Sequence, residues 1–294
     1  MKCNLCPRVG NADRVGENGD GICEMGEMPK VAKIMLHHWE EPCISGKNGS
    51  GTVFFSGCSL KCVFCQNYEI SAGGKGKYVI IQDLSSLFER LEKSGAHNIN
   101  LVNPTHYVHA IAKALEKKPG VPVVYNCGGY EGIPALRSME GRVQIYLADF
   151  KYSDNALAKK YSGAGDYVEV ALEALREMYR QVGDFEINEN GIMKKGLIIR
   201  HLILPGAMDN SKGVIDIFKR EFGGKKVMLS LMGQYVPAGK VPGNPAFSEI
   251  DKKVPKAMYK KLCEYMELSG IKYGFTQELT AADSKYTPDF ECNI

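Results

Sequence analysis

The stretch Val53-Phe54-Phe55-Ser56-Gly57-Cys58-Ser59-Leu60-Lys61-Cys62-Val63-Phe64-Cys65-Gln66-Asn67 decides how the rest of the chain is read. It opens with a short apolar run that reads as a buried strand over 53–56, and the strand hands on to a loop with three cysteines spaced Cys-x3-Cys-x2-Cys. Three thiolates on one loop are one short of the four that complete an ordinary iron–sulfur cubane, which leaves one iron open for another ligand. The alternatives are a zinc knuckle awaiting a fourth ligand and a run of buried structural thiols. Zinc sites ordinarily come as paired Cys-x2-Cys units or Cys/His pairs, whereas this is a lone asymmetric triplet. Cofactor chemistry in parallel α/β folds gathers at the C-terminal ends of strands, which is where this loop stands.

Downstream, apolar runs at 98–102, 121–125, 143–149, 196–204 and 226–232 alternate with helix-patterned stretches at 83–94, 108–117, 156–161, 168–182 and 212–222. That rhythm predicts βαβ units on a parallel sheet. With the strand at 53–56 the count is six repeats, two fewer than a closed eight-stranded barrel, and 271–275 is a candidate seventh strand. The Pro/Gly-rich stretch 236–245 reads as an extended loop after the sixth strand rather than a linker. With 294 residues, 44% hydrophobic and 24% charged, the chain has room for one large α/β domain, expected at 51–294 and preceded by a cysteine-containing N-terminal extension at 1–50.

Composition narrows the setting. The sequence holds no apolar run of membrane-span length, and its first residues lack the apolar region of a signal peptide, so a cytoplasmic protein is expected. Ten cysteines in a chain of this length read as metal ligands in a reducing cell rather than as a secreted disulfide scaffold. A net charge of +3 argues for neither nucleic acid nor membrane as a partner.

Polar residues recur where the strands end. Asn103-Pro104-Thr105-His106 follows the second, Asn126-Cys127-Gly128-Gly129-Tyr130-Glu131 the third and Asp149-Phe150-Lys151-Tyr152 the fourth. The fifth contains Arg200-His201, and the sixth ends in Gly233-Gln234-Tyr235. Each has a dull explanation in turns, caps or solvated surface. Their recurrence at successive strand ends suits a ligand with an amino acid head, a ribose and a base. Within His37-His38-Trp39-Glu40-Glu41, Trp39 reads as a packing anchor with solvated neighbours.

The cysteine motif, with Phe64 between its last two cysteines and Gln66-Asn67 behind it, resembles the radical S-adenosylmethionine superfamily. Glu40-Glu41-Pro42-Cys43-Ile44-Ser45-Gly46, Gln66 to Ser71, Gly95 to Val102, Tyr146 to Tyr152 and Arg200-His201-Leu202 are similar to the pyruvate formate-lyase activating enzymes, most of all to a poorly characterised activase-like branch. The resemblance implies an α/β fold of the open (βα)6 partial TIM barrel kind, with a [4Fe-4S] cluster on Cys58, Cys62 and Cys65 and S-adenosylmethionine as cofactor. It further implies cofactor contacts from Asn67, Asn126, Asp149, Lys151, Arg200 and Gln234, with Lys151 and Arg200 as the catalytic residues. Gln234 stands where the activases have a histidine. The Gly-Gly-Glu that often receives the methionine amino group is replaced after the second strand by Asn103-Pro104-Thr105, so Asn103 and Thr105 are the expected substitutes. The partners implied are a glycyl radical enzyme, activated by hydrogen abstraction, and a flavodoxin- or ferredoxin-type electron donor; a small molecule or peptide is the alternative substrate.

A second cysteine group opens the chain. Cys3, Cys6 and Cys23 resemble the N-terminal segment of the same branch, which has a further cysteine where this chain has Gly10. Three thiolates there, completed by Cys43, His37 or His38, form a candidate second metal site, zinc or iron–sulfur. The alternative is a remnant whose thiols merely pack.

Overall fold

The computed structural model describes residues 3–8, 12–277, 279 and 288–290. Strands β1 (Arg14–Val15) and β2 (Asn18–Gly19) form a small antiparallel ribbon. β3 (Lys30–His37), helix α1 (Pro42–Ser45) and β4 (Ser50–Phe55) follow, and the cysteine loop leads to α2 (Tyr68–Ser71), β5 (Lys77–Tyr78) and α3 (Ile81–Lys93). Alternation then sets in: β6 (Ile99–Val102), α4 (Val108–Ala114), β7 (Val123–Cys127), α5 (Ile133–Ser138), β8 (Ile145–Asp149), α6 (Asn155–Ser162) and α7 (Tyr167–Val182). The chain continues through β9 (Glu186–Ile187), β10 (Met193–Leu202), α8 (Met208–Phe222), β11 (Met228–Met232), α9 (Lys256–Leu268) and β12 (Gly274–Thr276).

Among the described residues these strands build a ten-stranded sheet in the order β12-β11-β10-β8-β7-β6-β4-β3-β5, with β9 paired to β10. From β4 to β12 the neighbours run parallel, as the βαβ rhythm predicts; β3 is antiparallel to β4, and β5 to β3. The candidate seventh strand appears as β12. β3 was not foreseen, and the 1–50 segment expected as an extension therefore ends inside the main sheet. Its run Lys-Val-Ala-Lys-Ile-Met-Leu-His has the composition of a strand with one half-wet face, but it lies outside the βα rhythm that revealed the others.

The helices decide between a doubly wound sheet and a partial barrel. α3 to α9 all pack on one face, in a core that includes Leu84, Phe88 and Leu91 of α3 at helical spacing against Val53, Phe55, Leu101, Tyr125, Tyr146, Ile199 and Leu229. The opposite face closes on α1, where Cys43 and Ile44 meet Val124, Ile145, Leu147, Ile198 and Met228. A parallel sheet with α3 to α9 outside and, among the described residues, only short pieces inside, α1 on the floor and Ile70 of α2 with Phe290 against Phe54 and Val102, is an open (βα)6 partial barrel with an added edge strand.

Period-two alternation gives the inner face two layers. Val124, Leu147, Ile198 and Met228 line the apolar floor, and two residues further along each strand stand Asn126, Asp149, Arg200 and Ser230. The barrel is thus dry below and polar above. Among the described residues no helix is long and apolar enough to cross a membrane.

Candidate active site

The polar layer is held together by one guanidinium. Arg200 donates from Nε to Asp149 Oδ1 at 2.9 Å, from Nη1 to Glu40 Oε2 at 2.9 Å and from Nη2 to Asn126 Oδ1 at 2.7 Å. Asn126 returns a bond to Glu40 Oε1 at 3.0 Å, Asn100 adds another at 3.1 Å, and Lys151 Nζ donates to Asp149 Oδ2. The four charged side chains are between 10% and 17% exposed, so each charge depends on its partners more than on water. Burial alone would raise the Asp149 carboxyl, but Arg200 and Lys151 outweigh it and hold it below the usual carboxylate range. Burial likewise opposes charge on Lys151 and Arg200, and the carboxylates beside them keep both raised and cationic.

The structure therefore brings Asn126, Asp149, Lys151 and Arg200 together as expected, and adds two residues that sequence reasoning missed. Asn100 sits inside β6 among apolar neighbours. Glu40 arrives from the hook between β3 and α1, directly above the floor that α1 plugs. The expectation of solvated neighbours around an anchoring Trp39 is reversed: Trp39 is 58% exposed, whereas Glu41 is buried and Glu40 points into the barrel. Burial raises the Glu41 carboxyl despite nearby Arg200. The signal lay in the sequence as two acids immediately before a Pro at the first turn of a helix, where one of them must turn inward with the plug.

Of the other expected cofactor residues, Asn67 precedes α2 and makes no capping hydrogen bond. Asn103 takes a left-handed conformation at the end of β6, with φ 55°, where asparagine is among the residues that tolerate it. Gln234 follows β11 and is half-buried. Thr105 is already engaged, accepting from the Tyr125 hydroxyl at 2.9 Å and donating to the Glu131 carboxylate. Glu131 thus brings a carboxylate to the end of β6 from the turn after β7.

Glu131 is 5% exposed, and burial pushes its carboxyl up from 4.5 to about 7, against the bonds from Thr105 and Cys127. A carboxyl raised on folding stabilises the fold fully below its unfolded value and loses that contribution as pH rises through the folded value. Between about pH 4.5 and pH 8 this group alone should reduce stability by about 3 kcal/mol. Glu131→Gln is expected to flatten that part of the pH dependence of Tm; an unchanged slope would show that Glu131 is ionised throughout.

The cysteine loop lies at the C-terminal end of β4, beside the polar layer. Burial raises the Cys58 thiol to about 11 and raises Cys62 and Cys65 too; Lys151 opposes this at Cys62, as does the Ser71 hydroxyl at Cys65. Among the described residues no three His, Cys, Asp or Glu side chains converge, as they stand, closely enough to hold a metal ion. The three loop thiols are nonetheless mutual electrostatic neighbours, and in number and type they are the donor set of an iron–sulfur cluster with one open iron. His106, buried and held neutral with its pKa near 4, ties the strand end to the loop through Nε2 and the Ser56 carbonyl at 2.6 Å. Gly57, at φ 89°, leaves no room for a side chain, since a Cβ there would strike Met25.

The N-terminal segment covers this loop. Arg8 bonds the carbonyls of Ser59, Ser162 and Gly163, and Leu5 is buried against the turn after β7. Cys3, Cys6 and Cys23 are neighbours there, and burial raises Cys6 to about 11. The expected completion of that set by Cys43, His37 or His38 is excluded by position. Cys43 belongs to the barrel floor, His37 pairs with Ser50 at the start of β4 and His38 lies beside Gly49, whereas Cys6 lies near Glu131 at the opposite strand ends. Gly10 lies outside the described residues.

Residues 52–193, from β4 to the start of β10, match the family model described as Radical SAM superfamily. That superfamily implies a [4Fe-4S] cluster and S-adenosylmethionine as cofactors, and an enzyme that works through them. The chain is 27% identical over 271 residues to an uncharacterized protein of Methanocaldococcus jannaschii, covering 87% of this chain and 74% of that one. Among solved structures it is similar to methylornithine synthase, with TM-score 0.49 and 15% identity, over 72% of this chain and 60% of the other.

Proposed function

We propose that the protein is a radical S-adenosylmethionine enzyme in which Cys58, Cys62 and Cys65 hold the [4Fe-4S] cluster, and that its substrate is a glycyl radical enzyme from which it removes a glycine Cα hydrogen. The single observation that carries the first part is the juxtaposition of the three-thiol loop with the Asp149–Lys151–Arg200–Glu40 layer at the C-terminal ends of the parallel strands. A reduced cluster of this kind supplies the electron that splits S-adenosylmethionine into methionine and a 5′-deoxyadenosyl radical. Lys151 and Arg200 present positive charge at the mouth of the barrel, the side suited to the methionine carboxylate. Asn126 offers polar atoms to the ribose, while Asn103, Thr105 and Glu131 cluster at the end of β6 for the amino group. The apolar floor excludes water from below, where a reactive radical would otherwise be quenched.

The activating role is supported by the resemblance of Asp149-Phe150-Lys151 and of Arg200 with Pro205-Gly206 to the activase elements. The electron would come from a flavodoxin- or ferredoxin-type donor in the cytoplasm, with no part for nucleic acid or membrane. A second reading, modification of a small molecule or peptide, is favoured by one observation: Arg8 and Leu5 lay the N-terminal segment over the cysteine loop, narrowing the approach for a large partner.

The deciding experiment is anaerobic. Protein reconstituted with iron and sulfide, reduced with dithionite and given S-adenosylmethionine should release 5′-deoxyadenosine, and a variant with Cys58, Cys62 and Cys65 all changed to Ala should release none. Equal release from both would defeat the cluster assignment. Faster release on adding a glycyl radical enzyme, with a glycyl radical seen by EPR, supports activation. Stimulation by metabolites or peptides alone supports the second reading.

A further inference from the structure

Each thiol of the cysteine loop receives a hydrogen bond, and the donors come from the loop itself and from the ends of two helices. Cys58 Sγ accepts from the Leu60 N–H at 3.4 Å, Cys65 Sγ from the Ser71 hydroxyl at 3.3 Å and Cys62 Sγ from the Ser162 hydroxyl at 2.9 Å. Ser71 closes α2, and Ser162 closes α6, a hundred residues along the chain from Cys62. A serine in a helix's last turn ordinarily bonds back to a carbonyl of its own helix; both of these turn to sulfur instead.

Behind Ser162 stands a second hydroxyl. Tyr152, fully buried, lies 2.7 Å from Ser162 Oγ. A serine has one proton to give, so with Ser162 donating to Cys62 the Tyr152 O–H donates to Ser162, and the order Tyr152 to Ser162 to Cys62 is a directed relay. Arg8 fixes its geometry, bonding the Ser162 carbonyl at 2.5 Å and the Ser59 carbonyl of the cysteine loop at 3.1 Å. One N-terminal guanidinium thereby sets the helix end against the loop whose sulfur it serves.

We propose that Ser162, with Tyr152 behind it, and Ser71 set the reduction potential of the cluster held by Cys58, Cys62 and Cys65. The inference rests on the cluster reading above. Reduction adds one electron from the donor, makes or breaks no bond to the hydroxyls, and increases the negative charge on the ligand sulfurs. A hydrogen bond to such a sulfur therefore favours the reduced state over the oxidised one, and is a recognised lever on iron–sulfur potentials. Both serines are positioning residues, acting through the ligands.

The test is a redox titration of reconstituted full-length protein with dithionite and mediators, following the EPR signal of the reduced cluster, with iron and sulfide content measured on each sample. Ser162→Ala is expected to lower the ratio of reduced to oxidised cluster about tenfold at fixed solution potential, a shift of about 59 mV to the negative for one electron. Tyr152→Phe should move it the same way by less, and Ser162→Thr should restore it. Fully loaded Ser162→Ala with the wild-type potential, or a more positive one, overturns the inference while leaving the cluster assignment intact. Should that variant fail to load iron, Tyr152→Phe, which keeps the serine on the sulfur, decides by itself: an unchanged potential there overturns the inference. Wild-type protein that takes up no cluster overturns the cluster reading and the inference together.

Discussion

Replacing Arg200 by Met should cost about 3–5 kcal/mol of stability, the range for breaking a buried ion pair from one side. Three acceptors lose their donor at once: Asp149 Oδ1, Glu40 Oε2 and Asn126 Oδ1. Asp149 retains Lys151, but Glu40 is left with only the amides of Asn100 and Asn126, and an amide does not neutralise a carboxylate above an apolar floor. Arg200→Lys keeps the charge and still fails, because an ammonium cannot reach three acceptors from one plane, so an intermediate loss is expected. Adding Glu40→Leu to Arg200→Met should recover part of the loss, since it removes the stranded charge. Urea unfolding of wild type, Arg200→Met, Glu40→Leu and the double variant at pH 7 gives the coupling directly; strict additivity would mean that Glu40 and Arg200 do not hold each other. Deoxyadenosine formation should fall with Arg200→Met even under conditions where the variant is fully folded, because Asp149 and Asn126 lose the group that aligns them.

Gly129→Ala should be nearly as damaging, though it adds only a methyl group. Gly129 turns the chain after β7 at φ 80°, a conformation that costs a residue with a side chain about 1–2 kcal/mol. The added Cβ would also run into the Asp149 carbonyl and come within 3.2 Å of the Tyr167 hydroxyl. That hydroxyl joins the ends of β7 and β8, donating toward the carbonyls of Gly128 and Asp149, each at 3.0 Å, and accepting from the Lys151 N–H at 2.9 Å. Backbone pressed on backbone has no rotamer to relieve it, and overpacking adds about 1–3 kcal/mol. The total should be at least about 3 kcal/mol, read as a drop in Tm of several degrees, and the displaced Asp149 should weaken S-adenosylmethionine binding as well. Normal stability with normal binding would show that the turn after β7 relaxes without moving the site.

The partial barrel was legible because its signals are local. Apolar runs of strand length, helical spacing between them and a cysteine loop after the first strand are properties of short windows, and they placed all seven parallel strands within a few residues. The recurrence of polar residues at strand ends likewise pointed to Asn126, Asp149, Lys151 and Arg200, since period-two alternation sends residues at matching register positions to one face.

By itself, then, the sequence determined the fold class, the thiol loop and the strands that surround it. Tertiary structure decided which side chains complete the site: Glu40 entering from a hook 160 residues before Arg200, Glu131 reaching Thr105 from the next strand, and Ser162 bonding Cys62 from the end of α6. It also decided that Cys43 belongs to the floor and that His37 pairs with Ser50 at the start of β4, neither with the N-terminal cysteines. Contacts of this kind depend on register across the sheet and on how loops return over it, and neither leaves a trace in the spacing of residues along one segment.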